Sequence, residues 1–314
     1  MRVLVVGAGM AGLACARALA AAGHAARLLD KGRRPGGRMS TRRVALADGE
    51  RTFDHGAQYF TARAPAFVAE VERWAADGLV ARWPAAGADA WVGVPAMDAP
   101  PAALADAGAV RCSAHVMALA RRDDGWQATL RDGDREGGFD AAVLALPAEQ
   151  AAAFLGSHDL GLAARATRTR SRPCWTLMAA FAAPLALGGD VRRGDGALAW
   201  AARDSAKPGR AAGEAWVVQA DGAWSTAHLE DDADTVAQLL LDRLRQAAGG
   251  TLPPVVHLAA HRWRYALSDG ADAGPQWNPA LRLGACGDWL PGSGVEAAWL
   301  SGTALAARML RDLA

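Results

Sequence analysis

Three glycines and one acid carry the clearest chemistry in this chain: Gly7, Gly9 and Gly12 in the run Gly7-Ala8-Gly9-Met10-Ala11-Gly12, and Asp30, 18 residues beyond Gly12. This spacing suits a dinucleotide. Gly7 permits a tight turn, Gly9 lets the backbone approach a pyrophosphate, and Gly12 lets a helix pack closely on a strand. The N–H groups of Met10 and Ala11, at the start of that helix, would meet the phosphates with its positive end. Asp30 is placed to accept from a ribose hydroxyl. Glycine spacing alone says little in a chain with 35 glycines. Here an apolar strand, Val3-Leu4-Val5-Val6, precedes the turn and an Ala-rich helix follows it, so every part of the motif is in register.

The residues after Asp30 decide which dinucleotide. They run Lys31-Gly32-Arg33-Arg34-Pro35-Gly36-Gly37-Arg38-Met39-Ser40-Thr41. Alone, this is a Pro/Gly turn with solvated arginines. An acid followed six residues later by Gly-Gly-Arg instead resembles the extended fingerprint of FAD-binding proteins of the glutathione-reductase and amine-oxidase kind. Gly36 and Gly37 remove side chains where the chain passes the cofactor, and Arg38 brings a fixed charge to the diphosphate or ribityl region. Lys31 and Met39 complete this edge of the expected site. At the other end, Leu281 to Asp288 reads as a short buried strand ending in Gly287-Asp288, and Gly292 to Gly302 opens a helix running to the C-terminus. The resemblance implies that Asp288 binds the ribityl chain. It also implies that N–H groups around Gly294, Val295 and Glu296 meet the flavin N1/C2=O edge, where a helix N-terminus stabilises negative charge. A valine whose backbone pairs with the adenine is implied too; Val116 is the candidate, with a plain core valine as the alternative.

The elements needed to hold these groups define an α/β fold. A discontinuous Rossmann-type FAD-binding domain (residues 1–51 with 110–147 and 275–314) is expected, with an inserted mixed α+β substrate domain (52–109 with 148–274). Val110 to Ala120 and Trp126 to Leu130 read as paired strands around a charged turn. Phe139 to Pro147 is another buried strand, and Thr235 to Ala247 the clearest helix of the inserted part. A length of 314 residues fits about two domains. Lys+Arg of 34 against Asp+Glu of 33 gives no basic field, so nucleic acid is not an expected partner. The cysteines Cys15, Cys112, Cys174 and Cys286 have neither disulfide-framework nor zinc spacing, and no metal site is expected. The immediate first strand leaves no room for a signal peptide, and the longest apolar stretch, around Trp175 to Leu187, is broken by Pro184. A cytoplasmic location without membrane contact is the expectation. No second Gly-x-Gly-x-x-Gly occurs, so electrons should come from a substrate bound directly over the flavin. With 12 Trp against 2 Tyr and 6 Phe, tryptophan dominates the aromatic surface. Trp263, Trp289 and Trp299 are the expected liners of a flat apolar site, the other tryptophans being core.

The order of these blocks resembles the renalase-like flavoproteins, specifically their short bacterial members, over nearly the whole chain. The most specific pieces are Asp30-Lys31 with Gly36 to Thr41, then Phe53-Asp54-His55-Gly56-Ala57-Gln58-Tyr59-Phe60. Trp91-Val92-Gly93-Val94-Pro95-Ala96-Met97, His261-Arg262-Trp263-Arg264-Tyr265-Ala266 and Val295 to Gly302 follow. The resemblance implies an oxidase of 2- or 6-dihydro-NAD(P) isomers that passes hydride to flavin N5 of a non-covalent FAD. NAD(P)+ is released, and O2 takes the electrons to give H2O2. Such chemistry needs a planar ring held over the flavin in a dry pocket, not a side-chain nucleophile. Gln58 and Tyr59 are the candidates to hydrogen-bond the carboxamide or flavin edge, Trp263 and Trp299 to shape the ring pocket, and His261 to position substrate. Two departures matter. His55 and His228 cannot be carried over as catalytic, and the block before Trp91 is shortened. An amine oxidase, with Tyr265 and Trp299 as an aromatic pair, and a non-catalytic FAD-fold binding module are the alternatives.

Overall fold

Val3 to Val6 have almost no exposed surface on either face, as a strand covered by helices on both sides must. In the computed structural model, which describes residues 1–105, 109–270 and 273–313, this strand (Arg2–Val6) is central to a six-stranded sheet. Its parallel neighbours are Ala25–Leu29 and Ala141–Leu144; Ala109–Arg111 and Leu283–Ala285 extend the sheet, and Gln276–Asn278 closes one edge antiparallel. The α/β Rossmann architecture expected from the sequence is the one the chain adopts. Residues 106–108 and 271–272, inside the expected substrate-domain segments, and residue 314 lie outside the described residues.

A helix, Met10–Ala21, leaves the first strand through the glycine turn and packs on the C-terminal helix Val295–Leu313. Their approach is close because Gly302 has no side chain: a Cβ there would fall on the Ala11 carbonyl oxygen. Phe67, Val71 and Trp74 recur at helical spacing on Pro65–Ala76 and bury against the same core.

A second, five-stranded antiparallel sheet stands beside the first. Its order is Val191–Arg193, Trp200–Arg203, Glu214–Gln219, Ser171–Phe181 and Val255–Ser268. The helix Ala233–Ala247 covers one face with Val236, Leu240, Leu241 and Leu244. The hairpin Arg42–Leu46/Gly49–Phe53 covers the other, with Phe53 and Val44 packed on Met178, Ala180 and Ala259. The single strand expected over Val110 to Ala120 is two strands. Ser113, at φ 55°, breaks it, so Ala109–Arg111 joins the parallel sheet while Val116–Arg122 pairs with Gly125–Leu130 in a three-stranded sheet. No helix among the described residues is long and apolar enough to cross a membrane.

Candidate functional site: a cleft between the two large sheets

The carboxyl ends of the parallel strands open into one long cleft of about 2090 Å³ that continues to the face of the antiparallel sheet. Ordinary small-molecule sites reach about 1,000 Å³, so this cleft has room for a dinucleotide and a second molecule. Its floor is the glycine turn. Gly7 takes φ +105°, and a Cβ on Gly12 would fall on the Gly7 carbonyl oxygen, so these two glycines let the helix start directly behind the strand. A Cβ on Gly9 meets no protein atom within 4 Å. That open space lies where the helix Met10–Ala21 begins with no side-chain cap, leaving its first N–H groups free. The floor fits a phosphate-bearing group.

Asp30 sits at the end of its strand and lines the cleft with Lys31. Its carboxylate accepts from the N–H groups of Ala8 (2.7 Å) and Gly32 (2.6 Å), which fixes its aim while leaving lone pairs open. Gly36 bridges back to Gly9, and Gly36, Gly37, Arg38 and Met39 form the next stretch of wall. Arg38 donates to both oxygens of Asp288 (2.9 and 2.7 Å) and to the Ala266 carbonyl (3.0 Å). The two expected cofactor ligands at opposite ends of the chain are thus a bidentate pair on one wall. Gly287, Gly294 and Val295 line the cleft with them, as does Val116. Glu296 lines it too, but one of its carboxylate oxygens accepts from the N–H groups of Arg63 (2.9 Å) and Ala64 (2.6 Å), capping the helix that begins at Pro65.

At the other end, Tyr59 stacks tilted on Trp200 with ring centroids 5.5 Å apart, and the Arg193 guanidinium lies 4.6 Å from the Trp200 ring centroid. His261 meets His55 edge to face at 4.9 Å and Trp263 at 4.5 Å. Trp263 Nε1 donates to the His55 carbonyl (2.7 Å), fixing its indole on the wall. Burial pushes His55 down to about 3, with His261 and Arg42 adding to the effect, and burial with Arg42 pushes His261 down to about 4. Both imidazoles are neutral near pH 7.

Three expected residues stand elsewhere than the motif suggests. Gln58 borders the cleft, but its amide is drawn inward: Nε2 donates to the carbonyls of Asp54 and Gly56, and Oε1 accepts from Lys207 (3.4 Å). Trp299 packs on Phe67 (5.5 Å) on the core side of its helix and is not on the cleft wall, so Tyr265, which is, has no Trp299 partner. Trp289 is fully buried and donates to the Leu146 carbonyl. Trp200, Gln219 and Arg42 line the cleft without being expected there. No motif marks them; Trp200 is one tryptophan among many, and Arg42 follows directly on a recognised block whose last residue is Thr41.

Behind this wall lies a charge cluster without solvent exposure. Lys207 Nζ bonds Asp54 (3.1 Å) and Asp204 (2.5 Å), and Arg210 bonds Asp54 (2.5 Å). Thr41 Oγ1 and the Met97 N–H also donate to Asp54. Burial pushes the Asp54 carboxyl up, but Lys207, Arg210 and Thr41 outweigh it and hold it below the usual carboxylate range.

A family model for an NAD(P)-binding Rossmann-like domain matches residues 5–71, and one for a flavin containing amine oxidoreductase matches residues 81–310. Similar solved structures include a provisionally named protoporphyrinogen oxidase from Exiguobacterium sp. 255-15, at 13% identity and TM-score 0.73 over 99% of this chain and 98% of that one. A double mutant of putrescine oxidase redesigned in cofactor binding aligns at 14% identity and TM-score 0.69 over 99% of both chains. An oxidoreductase from Methanosarcina mazei aligns at 13% and 0.61, over 98% of this chain and 100% of that one. At these identities the solved structures speak for the fold alone. The match over residues 81–310, most of the chain, settles the family: this protein belongs to the flavin containing amine oxidoreductases.

Proposed function

We propose that the chain is an FAD-dependent oxidase that draws a hydride from 2- or 6-dihydro-NAD(P). In this reading the cofactor is non-covalent FAD, with its diphosphate at Gly9, Met10 and Ala11, a ribose at Asp30 and the ribityl chain beside Arg38 and Asp288. When bound, the flavin supplies the hydride acceptor and passes the electrons on to O2. The protein's own part is to hold a flat ring and exclude water, which Tyr59, Trp200, His261 and Trp263 are placed to do.

One observation carries the choice of substrate. The three carboxylates on the cleft, Asp30, Asp288 and Glu296, are each already held, by backbone N–H groups or by Arg38. Among the described residues none lies at the Tyr59–His261 end to receive an ammonium group. A neutral or anionic ring substrate meets no such deficit. A second reading, oxidation of an amine C–N bond, is supported by the family match and by the Tyr59–Trp200 pair.

Anaerobic mixing of the holoenzyme with candidate substrates, followed at the flavin absorption band, separates the two. The 2- or 6-dihydro isomers should bleach the flavin in one fast phase, with ordinary NADH, catecholamines and polyamines far slower. A misplacement on the order of 1 Å costs about a hundredfold in such a step. An amine that bleaches it at least as fast as either isomer would put the second reading in place of the first.

A further inference from the structure

Arg42 opens the hairpin that covers the antiparallel sheet, opposite Phe53 in register, and it lines the cleft beside His55 and His261. Three arginines near it in the chain are engaged. Arg38 holds Asp288, Arg43 holds both oxygens of Asp98 (2.7 and 2.9 Å), and Arg51 holds Asp48. Arg42 alone of these has no carboxylate within 4 Å among the described residues. The strand Val255–Ser268 presents alternate residues to one face, and His257 and His261 fall on the face packed against the hairpin, with the Phe53 ring 5.5 Å from His257. Two imidazole nitrogens there, His55 Nδ1 and His257 Nε2, are buried without a hydrogen-bond partner, and His55 is only 6% exposed. A buried polar atom left unpaired is costly, so a group that satisfies it is expected.

We propose that Arg42, with His55 and His261 on the cleft, forms an anion subsite that takes a phosphate group of the substrate. The guanidinium offers a planar fork of donors that matches phosphate oxygens, and each neutral imidazole offers one N–H. Among the described residues the carboxylates that line the cleft are all held on the cofactor side, and Asp54, which precedes His55 behind the wall, is engaged by Lys207, Arg210 and Thr41. The inference rests on the oxidase reading above and adds what that reading leaves open: the substrate is recognised as a nucleotide and not only by its ring.

The test compares the holoenzyme's flavin reduction by a 6-dihydronicotinamide dinucleotide with that by the matching riboside, which lacks phosphate. The wild type should half-saturate at about a tenfold lower concentration of the dinucleotide, the worth of one charge-assisted hydrogen-bonded contact. Arg42→Gln should collapse that preference to about twofold, and Arg42→Lys, which keeps the charge but not the fork, should fall between. Equal half-saturation for both compounds in the wild type, or an unchanged preference in Arg42→Gln, would overturn the subsite. If neither compound bleaches the flavin, the oxidase reading itself fails. The subsite is then judged by calorimetric titration of inorganic pyrophosphate into the holoenzyme, where FAD already fills the glycine floor. Binding to the wild type that weakens about tenfold in Arg42→Gln supports it; absent or equal binding overturns it.

Discussion

The imidazoles of His55 and His261 meet edge to face in a pocket that strips both of water, and this has a consequence for stability. Their folded pKa values of about 3 and about 4 lie below the unfolded value near 6.5. Between those limits the unfolded chain binds protons that the folded chain refuses. The stability they contribute is therefore complete above about pH 6.5 and is lost as the pH falls toward 4, at up to ~1.4 kcal/mol per pH unit for each group. Asp54, held below the ordinary carboxylate range, titrates beneath this window. The Tm of the holoenzyme should fall as the pH is lowered from 6.5 to 4, and His55→Phe should flatten part of that slope. An equally steep profile in the variant would remove His55 as a cause. At this scale the sequence shows which residue types gather in a motif but not where each points. Gln58 and Tyr59 are neighbours, yet one amide turns inward to Lys207 while the other side chain stacks on Trp200. That choice is made by a lysine 149 positions away, which no local pattern announces.

Elements were legible where a local rule dictates them. The glycine turn with its flanking strand and helix, and the helix expected over Thr235 to Ala247 and found over Ala233–Ala247, follow from periodicity and turn chemistry alone. The break at Ser113 was not legible, because Val110 to Ala120 is evenly strand-like and only the pull of two different sheets divides it. Helix contacts have their own signal, small residues, which becomes readable only once the partner is known. Gly302 is such a residue, since its missing side chain lets the C-terminal helix lie against Ala11 and Cys15 of the first helix. Gly302→Val would drive carbon atoms into that backbone. It should cost about 1–3 kcal/mol as overpacking, and more if the first helix cannot retreat from the strand behind it. Because the same helix N-terminus forms the floor of the cleft, flavin content at equal protein concentration should drop along with Tm. A variant as stable and as fully loaded as the wild type would show that this contact is slack.

Across the whole molecule, the buried cluster of Asp54, Lys207, Asp204 and Arg210 joins stretches of chain that are far apart in sequence. Asp54 leads into the wall residues His55 to Tyr59. Arg210 reaches the carbonyls of Gly93 and Pro95, and the Met97 N–H reaches Asp54, so the Trp91 to Met97 block is tied to the same point. Lys207 and Arg210 follow the strand that carries Trp200, whose ring faces Tyr59. The blocks recognised in sequence are therefore joined by shared ion pairs behind the cleft, and their spacing in the chain does not disclose it. Two acids and two cations balance, and the Lys207 ammonium also lies 5.2 Å from the Trp83 ring centroid. Lys207→Met keeps most of the volume but leaves two carboxylates facing one guanidinium without water. Breaking a buried pair in this way costs about 3–5 kcal/mol. Asp204, whose carboxyl is already pushed up by burial and by Asp54, is the group able to relieve the imbalance by taking a proton. The loss of stability in Lys207→Met should therefore be smaller at pH 5 than at pH 8, and adding Asp204→Asn should recover part of it at pH 8. Thermal melts of the two single variants and the double variant form a cycle that reads this coupling directly. Additive losses with no pH dependence would mean that the four groups act as independent pairs, and that the wall from His55 to Tyr59 is held by packing rather than by charge.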